Sequence, residues 1–502
     1  MAQAAIDQLK ERLRESAYLD STINLLTWDQ EVNLPPQAAK SRAETIAHVS
    51  ALAHRQFIAI NSDGLLTELK QALDANQLKG AEATMVAEIH RHYERARKLP
   101  EDHVRELAAT ASQGASVWVT ARAENDFALW LPWLEKIVAL KRREAEYVGY
   151  AGEPYDALLD FYEPGTTTAT ADKLLTELKN FLVPFLQTIK RCSIKLDAGR
   201  LRGRFPLDQQ IAFNRRLAAE IGFDFGAGRL DESAHPFSTN LHPLDVRMTT
   251  RYKTDDVLYA IGSTIHETGH SLYEQNLPVE HFGTPLAESV SLGIHESQSR
   301  LWENNLGKSL PFWRHFYPEL QAAFPDPFGQ LALTEFYRLI NRVEPSFIRT
   351  EADEVTYNLH IILRFELEQD LIAGRLEPRD LPNTWNAKMK EYLGLAVPDD
   401  KVGVLQDAHW AGGEIGYFAT YSLGNFYAAQ MHHQMKKDLP DLDRRLTEGD
   451  FRSINDWLKH QIHRHGKTYP ARQLIKQISG EELSARFFTN YLKEKYGAIY
   501  EI

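Results

Sequence analysis

Residues 174–191 read LLTELKNFLVPFLQTIKR, with leucine, phenylalanine and isoleucine recurring three and four positions apart. That is the period of a helix with one apolar face. The same spacing runs through most long stretches of the 502-residue chain, so the expected fold is mostly α. The expected interruptions are short turn signals rather than linkers: Pro35-Pro36, Glu163-Pro164-Gly165, Phe324-Pro325-Asp326-Pro327 and Pro398-Asp399-Asp400. No Ser/Gly tract, repeat or low-complexity segment divides the chain. The expectation is one large helical domain over residues 1–502, or two lobes around a cleft. One stretch, FDFGAGRLDESAHPFSTNLHPLDVRMTTRY at 223–252, is rich in Gly, Pro, Ser, Thr and Asp and ends in β-branched residues. It predicts a small β element.

Within that helical frame, residues 261–275 read IGSTIHETGHSLYEQ. Residues four apart are neighbours on a helix, so His266 and His270 can aim both imidazoles at one ion. Glu267 is turned about 100° away, beside the ion's open position, where it can take a proton from water instead of ligating. The competing explanation is a chance match on a buried helix in a chain with 19 histidines.

A catalytic zinc requires a third protein ligand. Position 273 is Tyr, which excludes the three-histidine HExxHxxGxxH arrangement. No Gly-x-Met-Glu-Asn segment occurs, which argues against aminopeptidases that use it to hold a substrate amino terminus. Glu274 and Glu280 lie too near His270 to come from a second, separately packed helix. Glu288 and Glu296 remain, and spacing does not choose between them.

Composition narrows the partners. The formal net charge of −12 gives no basic excess for nucleic acid or anionic lipid. No run of about 18 apolar residues suggests a membrane span. Cys192 is the single cysteine, so neither an internal disulfide nor a thiolate cluster can form. The N-terminal MAQAAIDQLKERLRES lacks the apolar core of a signal peptide, and the expected location is cytoplasmic.

HETGH followed by HESQSRLWEN at 295–304 resembles the carboxypeptidase Taq family of metallocarboxypeptidases. WDQEVNLPP at 28–36, PYDALLDFYEPG at 154–165, DVRMTTRY at 245–252, IRTEADEVTYNLH at 348–360 and GVLQDAHW at 403–410 extend the resemblance over nearly the whole chain. It implies that Glu296, the glutamate of the HES word, is the third metal ligand. It further implies an almost all-helical fold with a deep central substrate groove, similar in architecture to angiotensin-converting enzyme and the neurolysin-like oligopeptidases. A homodimer, and release of single residues from free peptide C-termini with broad specificity, complete the family picture. The expected ion is Zn²⁺, and Co²⁺ suits the same ligands.

Other groups follow from the matched words. Arg349 would bind the substrate α-carboxylate through a two-pronged guanidinium fork; alternatively Arg349, Glu351 and Asp353 form an ion cluster at a helix end. By looser similarity to the oligopeptidases, His409 would contact substrate backbone and Tyr421 would donate to the oxyanion, with Tyr417 ranked second. Packing aromatics are the alternative for both tyrosines. Asp245, Arg247 and Thr249 are expected either at a strand edge that pairs with peptide or in internal bracing, and Asp407 to orient a ligand histidine. Ala419 and Phe161 stand where the family commonly has Pro and an acidic residue, departures that touch no ligand. An endo-acting oligopeptidase with the same metal chemistry is the alternative activity.

Overall fold

The apolar spacing of residues 174–191 is realised in the helix Thr168–Arg191, which buries Leu174, Leu175, Leu178, Leu182, Leu186 and Ile189 along one face. The computed structural model describes residues 2–502 and is mostly helical, with one three-stranded sheet. Helices end at the expected signals: Pro154–Tyr162 stops at Glu163, and Leu310–Ala323 stops at Phe324. The chain forms two compact units. One comprises residues up to Arg97, Asp197–Ile340 and Met431–Glu482; the other comprises Lys98–Leu196, Asn341–Gln430 and Leu483–Ile502.

In the first unit the sheet lies within the predicted 223–252 stretch. Strands β1 (Gly228–Glu232), β2 (Ser238–His242) and β3 (Asp245–Thr250) are ordered β1-β3-β2, with β3 parallel to β1 and antiparallel to β2. The N-terminal helix, Ala2–Val32, covers the β2 edge: Ser21 Oγ donates to Leu241 O at 2.5 Å and Asn24 Nδ2 to Asn240 O at 2.9 Å. An edge held this way offers few free groups to another strand.

The bracing role expected for Asp245 and Arg247 is present. Arg247 Nε and Nη2 donate to Asp245 at 2.9 and 3.0 Å, and the guanidinium carbon lies 4.4 Å from the Trp28 ring centroid. Thr249 is buried and accepts from Ser233 Oγ at 2.7 Å and Phe237 N at 3.0 Å.

The second unit is organised around Tyr357–Ala373, a helix buried on nearly every face. Helices Phe127–Val148, Pro154–Tyr162, Thr168–Arg191 and Leu381–Leu393 pack against it. Leu359, Leu363, Phe365 and Leu367 are fully buried, each contributing about 2 kcal/mol by area. A helix buried on nearly every face must find partners for its polar residues.

Glu368 does so. It is fully buried and accepts from Tyr155 Oη at 2.6 Å, Trp410 Nε1 at 2.7 Å and Gly416 N at 3.2 Å. Burial nevertheless pushes its carboxyl up to about 7 from an ordinary 4.5. Between those values the native state holds a proton that the unfolded chain releases, so this group's contribution to stability falls as pH rises through the window. The stability of the wild type relative to Glu368→Gln, which cannot ionise, is expected to drop by about 3 kcal/mol between pH 4.5 and 7.5. Denaturant unfolding of both proteins across that range is the measurement, and a constant difference would refute the assignment.

Candidate active site

The helix Val257–Gln275 begins at Asp256, whose side chain accepts from Tyr259 N, and buries Val257, Ala260, Ile261, Ile265 and Leu272. Its apolar stripe fixes the helix rotation and leaves His266 and His270 half-buried on another face. The next helix, Leu292–Arg300, is capped by Ser291 and crosses the first at close range. Gly269 permits that crossing: a Cβ there would lie 2.6 Å from Gln298 O and 2.7 Å from Ser299 Cα.

The crossing brings Glu296 to the histidines. Glu296 Oε2 lies 3.7 Å from His266 Nε2 and 3.4 Å from His270 Nε2, and the three ligand atoms lie within 4.8 Å of one another. Ligands bound tetrahedrally at about 2.0–2.1 Å stand about 3.3 Å apart, so the set fits a divalent ion of zinc's size with small adjustments. Glu288, the other candidate, lies outside that helix and pairs with Lys467 Nζ at 2.5 Å.

Glu296 is held from behind. Arg300 Nε donates to its Oε1 at 2.6 Å and Ser299 Oγ to Oε2 at 3.0 Å. Arg300 Nη1 also donates to Glu303 Oε2 at 3.0 Å, and that same oxygen lies 2.8 Å from His266 Nδ1. Glu303 sits in a π-helical turn, Leu301–Leu306, that continues the Glu296 helix. A carboxylate on the far nitrogen of a ligating imidazole fixes its tautomer and ring orientation.

The protonation states follow from these neighbours. Burial would raise the Glu296 carboxyl, yet Arg300 and His266 hold it well below its ordinary value. Burial pushes His270 down to about 3, the neutral form a metal ligand requires. His266 is held above its ordinary value because Glu296 and Glu303 outweigh burial. Glu267 is buried, and that burial pushes its carboxyl up to about 7.

The second unit gathers the remaining expected groups. Arg349 is buried and does not pair with Glu351 or Asp353 as the ion-cluster alternative required. Its Nε and Nη2 donate to Asp407 Oδ1 at 3.1 and 2.9 Å, and Nη1 donates to Tyr357 Oη at 3.2 Å. Asp353 instead accepts from the amides of Val355 and Thr356 at the start of the central helix. Asp407 also receives Arg364 Nε at 2.7 Å, and the two guanidiniums overcome burial to hold its carboxyl well below the usual range. His409 Nδ1 is 3.9 Å from Asp407, so that carboxylate chiefly serves the arginines.

His409 Nε2 lies 3.3 Å from Tyr421 Oη, and the Tyr417 ring lies 5.4 Å from His409 and 5.2 Å from Tyr421. Tyr421 is in the first turn of the helix Ala419–Asp438, whereas Tyr417 precedes it. Arg349 lies 5.1 Å from the Tyr421 ring centroid.

Sequence reasoning missed Glu303, Arg300, Arg364 and the contacts of His295. A signal was available for the first two: Glu296, Arg300 and Glu303 are spaced four and three apart, one helical stripe.

Comparison with known proteins gives the family. The family model described as carboxypeptidase Taq (M32) metallopeptidase matches residues 8–496. Thermostable carboxypeptidase 1 of Thermus thermophilus is 42% identical, covering 99% of each chain, and carboxypeptidase 1 of Bacillus subtilis is 39% identical, covering 97% of each. The crystal structure of the M32 carboxypeptidase from Deinococcus radiodurans superposes with a TM-score of 0.94 at 37% identity, covering 99% of this chain and 100% of that one. On the extent of these matches, the chain belongs to the carboxypeptidase Taq (M32) family of metallopeptidases.

Proposed function

We propose that this metallocarboxypeptidase removes single residues from the free C-termini of peptides with broad specificity, using Zn²⁺ held by His266, His270 and Glu296. The observation that carries the proposal is the convergence of those three ligand atoms within 4.8 Å beside the buried Glu267. When bound, a divalent cation supplies Lewis acidity, acidifying water and polarising a carbonyl. Co²⁺ suits the same nitrogen and oxygen donors.

Glu267 is the general base: it accepts a proton from the attacking water and returns it to the leaving amine. A carboxyl raised by burial toward the working pH is matched to both halves of that task. Tyr421 donates to the developing oxyanion, with Tyr417 the second candidate, and His409 contacts substrate backbone. Burial and the nearby guanidiniums push His409 down to about 4. Neutral at working pH, its ring offers one donor and one acceptor.

Arg349 anchors the terminal carboxylate. Asp407 occupies the Nε and Nη2 side of the guanidinium and holds it rigidly, which orients the Nη1 and Nη2 end for a two-pronged bond. Two buried arginines share Asp407, so an entering anion is favoured over a neutral amide. That excess of positive charge favours the exopeptidase reading over an endo-acting oligopeptidase.

The same proposal treats residues 1–502 as one metallocarboxypeptidase domain, which the family match over residues 8–496 supports, and has it work as a cytoplasmic homodimer. Among the described residues no helix is long and apolar enough to cross a membrane.

Glu267→Gln is expected to keep metal affinity, read by chelator competition, while turnover falls by about 100- to 10,000-fold. Glu296→Ala is expected to lose the metal. Undiminished turnover by Glu267→Gln would remove the mechanism.

Mass spectrometry of a mixed peptide pool, each peptide supplied as free acid and as amide, tests the activity. Stepwise loss from free acids alone, abolished by a chelator, is expected; internal cleavage of both forms would transfer the chain to the endo-acting class. Arg349→Ala should lower kcat/KM on free acids by roughly 10- to 100-fold, through the lost charge-assisted bonds. An unchanged value would release Arg349 from the role.

A further inference from the structure

The two histidines of the site are held in different ways. His266 has the Glu303 carboxylate on Nδ1, whereas His270 Nδ1 is buried and has no hydrogen-bond partner among the described residues. Ligating imidazoles almost always have a partner there, because without one the ring can swing about its χ angles. A different neighbour meets the His270 ring. His295 lies face to face with it, centroids 4.4 Å apart and planes inclined by 17°.

His295 is itself tied down. Its Nε2 lies 2.8 Å from Glu274 Oε1, and the other oxygen of Glu274 accepts from Asn240 Nδ2 on β2. Beyond His295 the column of rings continues through Tyr273, at 5.7 Å and 27°, to His463, at 4.9 Å and 28° from Tyr273. Tyr273 Oη accepts from Val290 N at 3.1 Å, and His463 Nε2 lies 2.9 Å from Gln298 Oε1. The column is therefore anchored at several points, and His270 is its last member.

The arrangement follows from two adjacent residues on one helix. Glu296 faces the ligand nitrogens, and His295, about 100° around the helix, reaches the flat side of the ring that carries one of them.

We infer that His295, fixed by Glu274, is a positioning residue that sets the ring plane of His270 and so the direction of its Nε2 toward the metal. Ring packing does for His270 what a carboxylate does for His266. This rests on the proposal that His266, His270 and Glu296 are the metal ligands.

The test separates ring from hydrogen bond. His295→Gln keeps a donor for Glu274 and removes the flat ring; His295→Phe keeps a flat ring and removes the donor. The readouts are affinity for Zn²⁺ and for Co²⁺ by chelator competition, the visible absorption of the Co²⁺-loaded protein, and the melting temperature without metal. We expect His295→Gln to weaken metal affinity by about 10-fold or more and to change the Co²⁺ spectrum, and His295→Phe to restore most of both. Metal-free melting temperatures close to the wild type in the two variants would place the effect at the site rather than in the fold.

Wild-type affinity and spectrum in His295→Gln would overturn the inference, as would a His295→Phe protein no better than His295→Gln. The underlying ligand assignment is read separately: His270→Ala or Glu296→Ala with undiminished affinity would overturn that assignment, and the inference with it.

Discussion

Everything at the candidate site depends on how closely two helices can cross. The backbone of Gln298 and Ser299 lies where a side chain on residue 269 would begin, so the glycine of HETGH serves contact rather than a special backbone angle. A methyl group there would drive the helices apart by the better part of an ångström. Glu296 would then withdraw from both histidines, and His295 from the His270 ring. The motif therefore specifies a packing distance as well as a pair of histidines, and that distance brings Glu296 to them.

Buried charge is managed differently in the two units. Around the histidines, two carboxylates are matched by Arg300 and, at 3.7 Å, by Lys308. In the other unit, Arg349 and Arg364 share Asp407, so positive charge is left in excess. Burial pulls Arg364 down to about 10, a measure of how strongly that interior resists the charge. A surplus of buried charge is costly unless something compensates it, and an anionic substrate group is suited to do so.

Helical periodicity and turn residues were enough to foresee a mostly helical chain with a small β element near 223–252, because both signals are local. The histidine pair was legible for the same reason: its geometry is set within one turn. Choosing Glu296 over Glu288 was not possible from spacing, since Glu288 is engaged by Lys467, 179 positions later. Only the surrounding words decided it. The Arg349 and Asp407 pairing joins residues 58 apart, and nothing in either neighbourhood announces the other. Arg247 over Trp28 is the same kind of case: internal bracing is one of two expectations for the DVRMT word, but the aromatic partner lies far back in the first helix. Glu303 was readable in principle, yet its stripe gains meaning only once Glu296 is placed.

The unequal support of the two histidines has an electrostatic logic. A second carboxylate behind His270 would fix that ring as well as Glu303 fixes His266, but it would add a negative charge within a few ångströms of the ion. In a site of low effective dielectric that charge would blunt the very Lewis acidity the ion is there to provide. An aromatic neighbour fixes the ring plane through dispersion and shape, which carry no such cost. Glu274 supplies the anchoring carboxylate one residue further out, paired to His295 at 2.8 Å, where its charge is spent on holding the stack. Direction is thus imposed on both histidines, while only His266 has a carboxylate on its Nδ1.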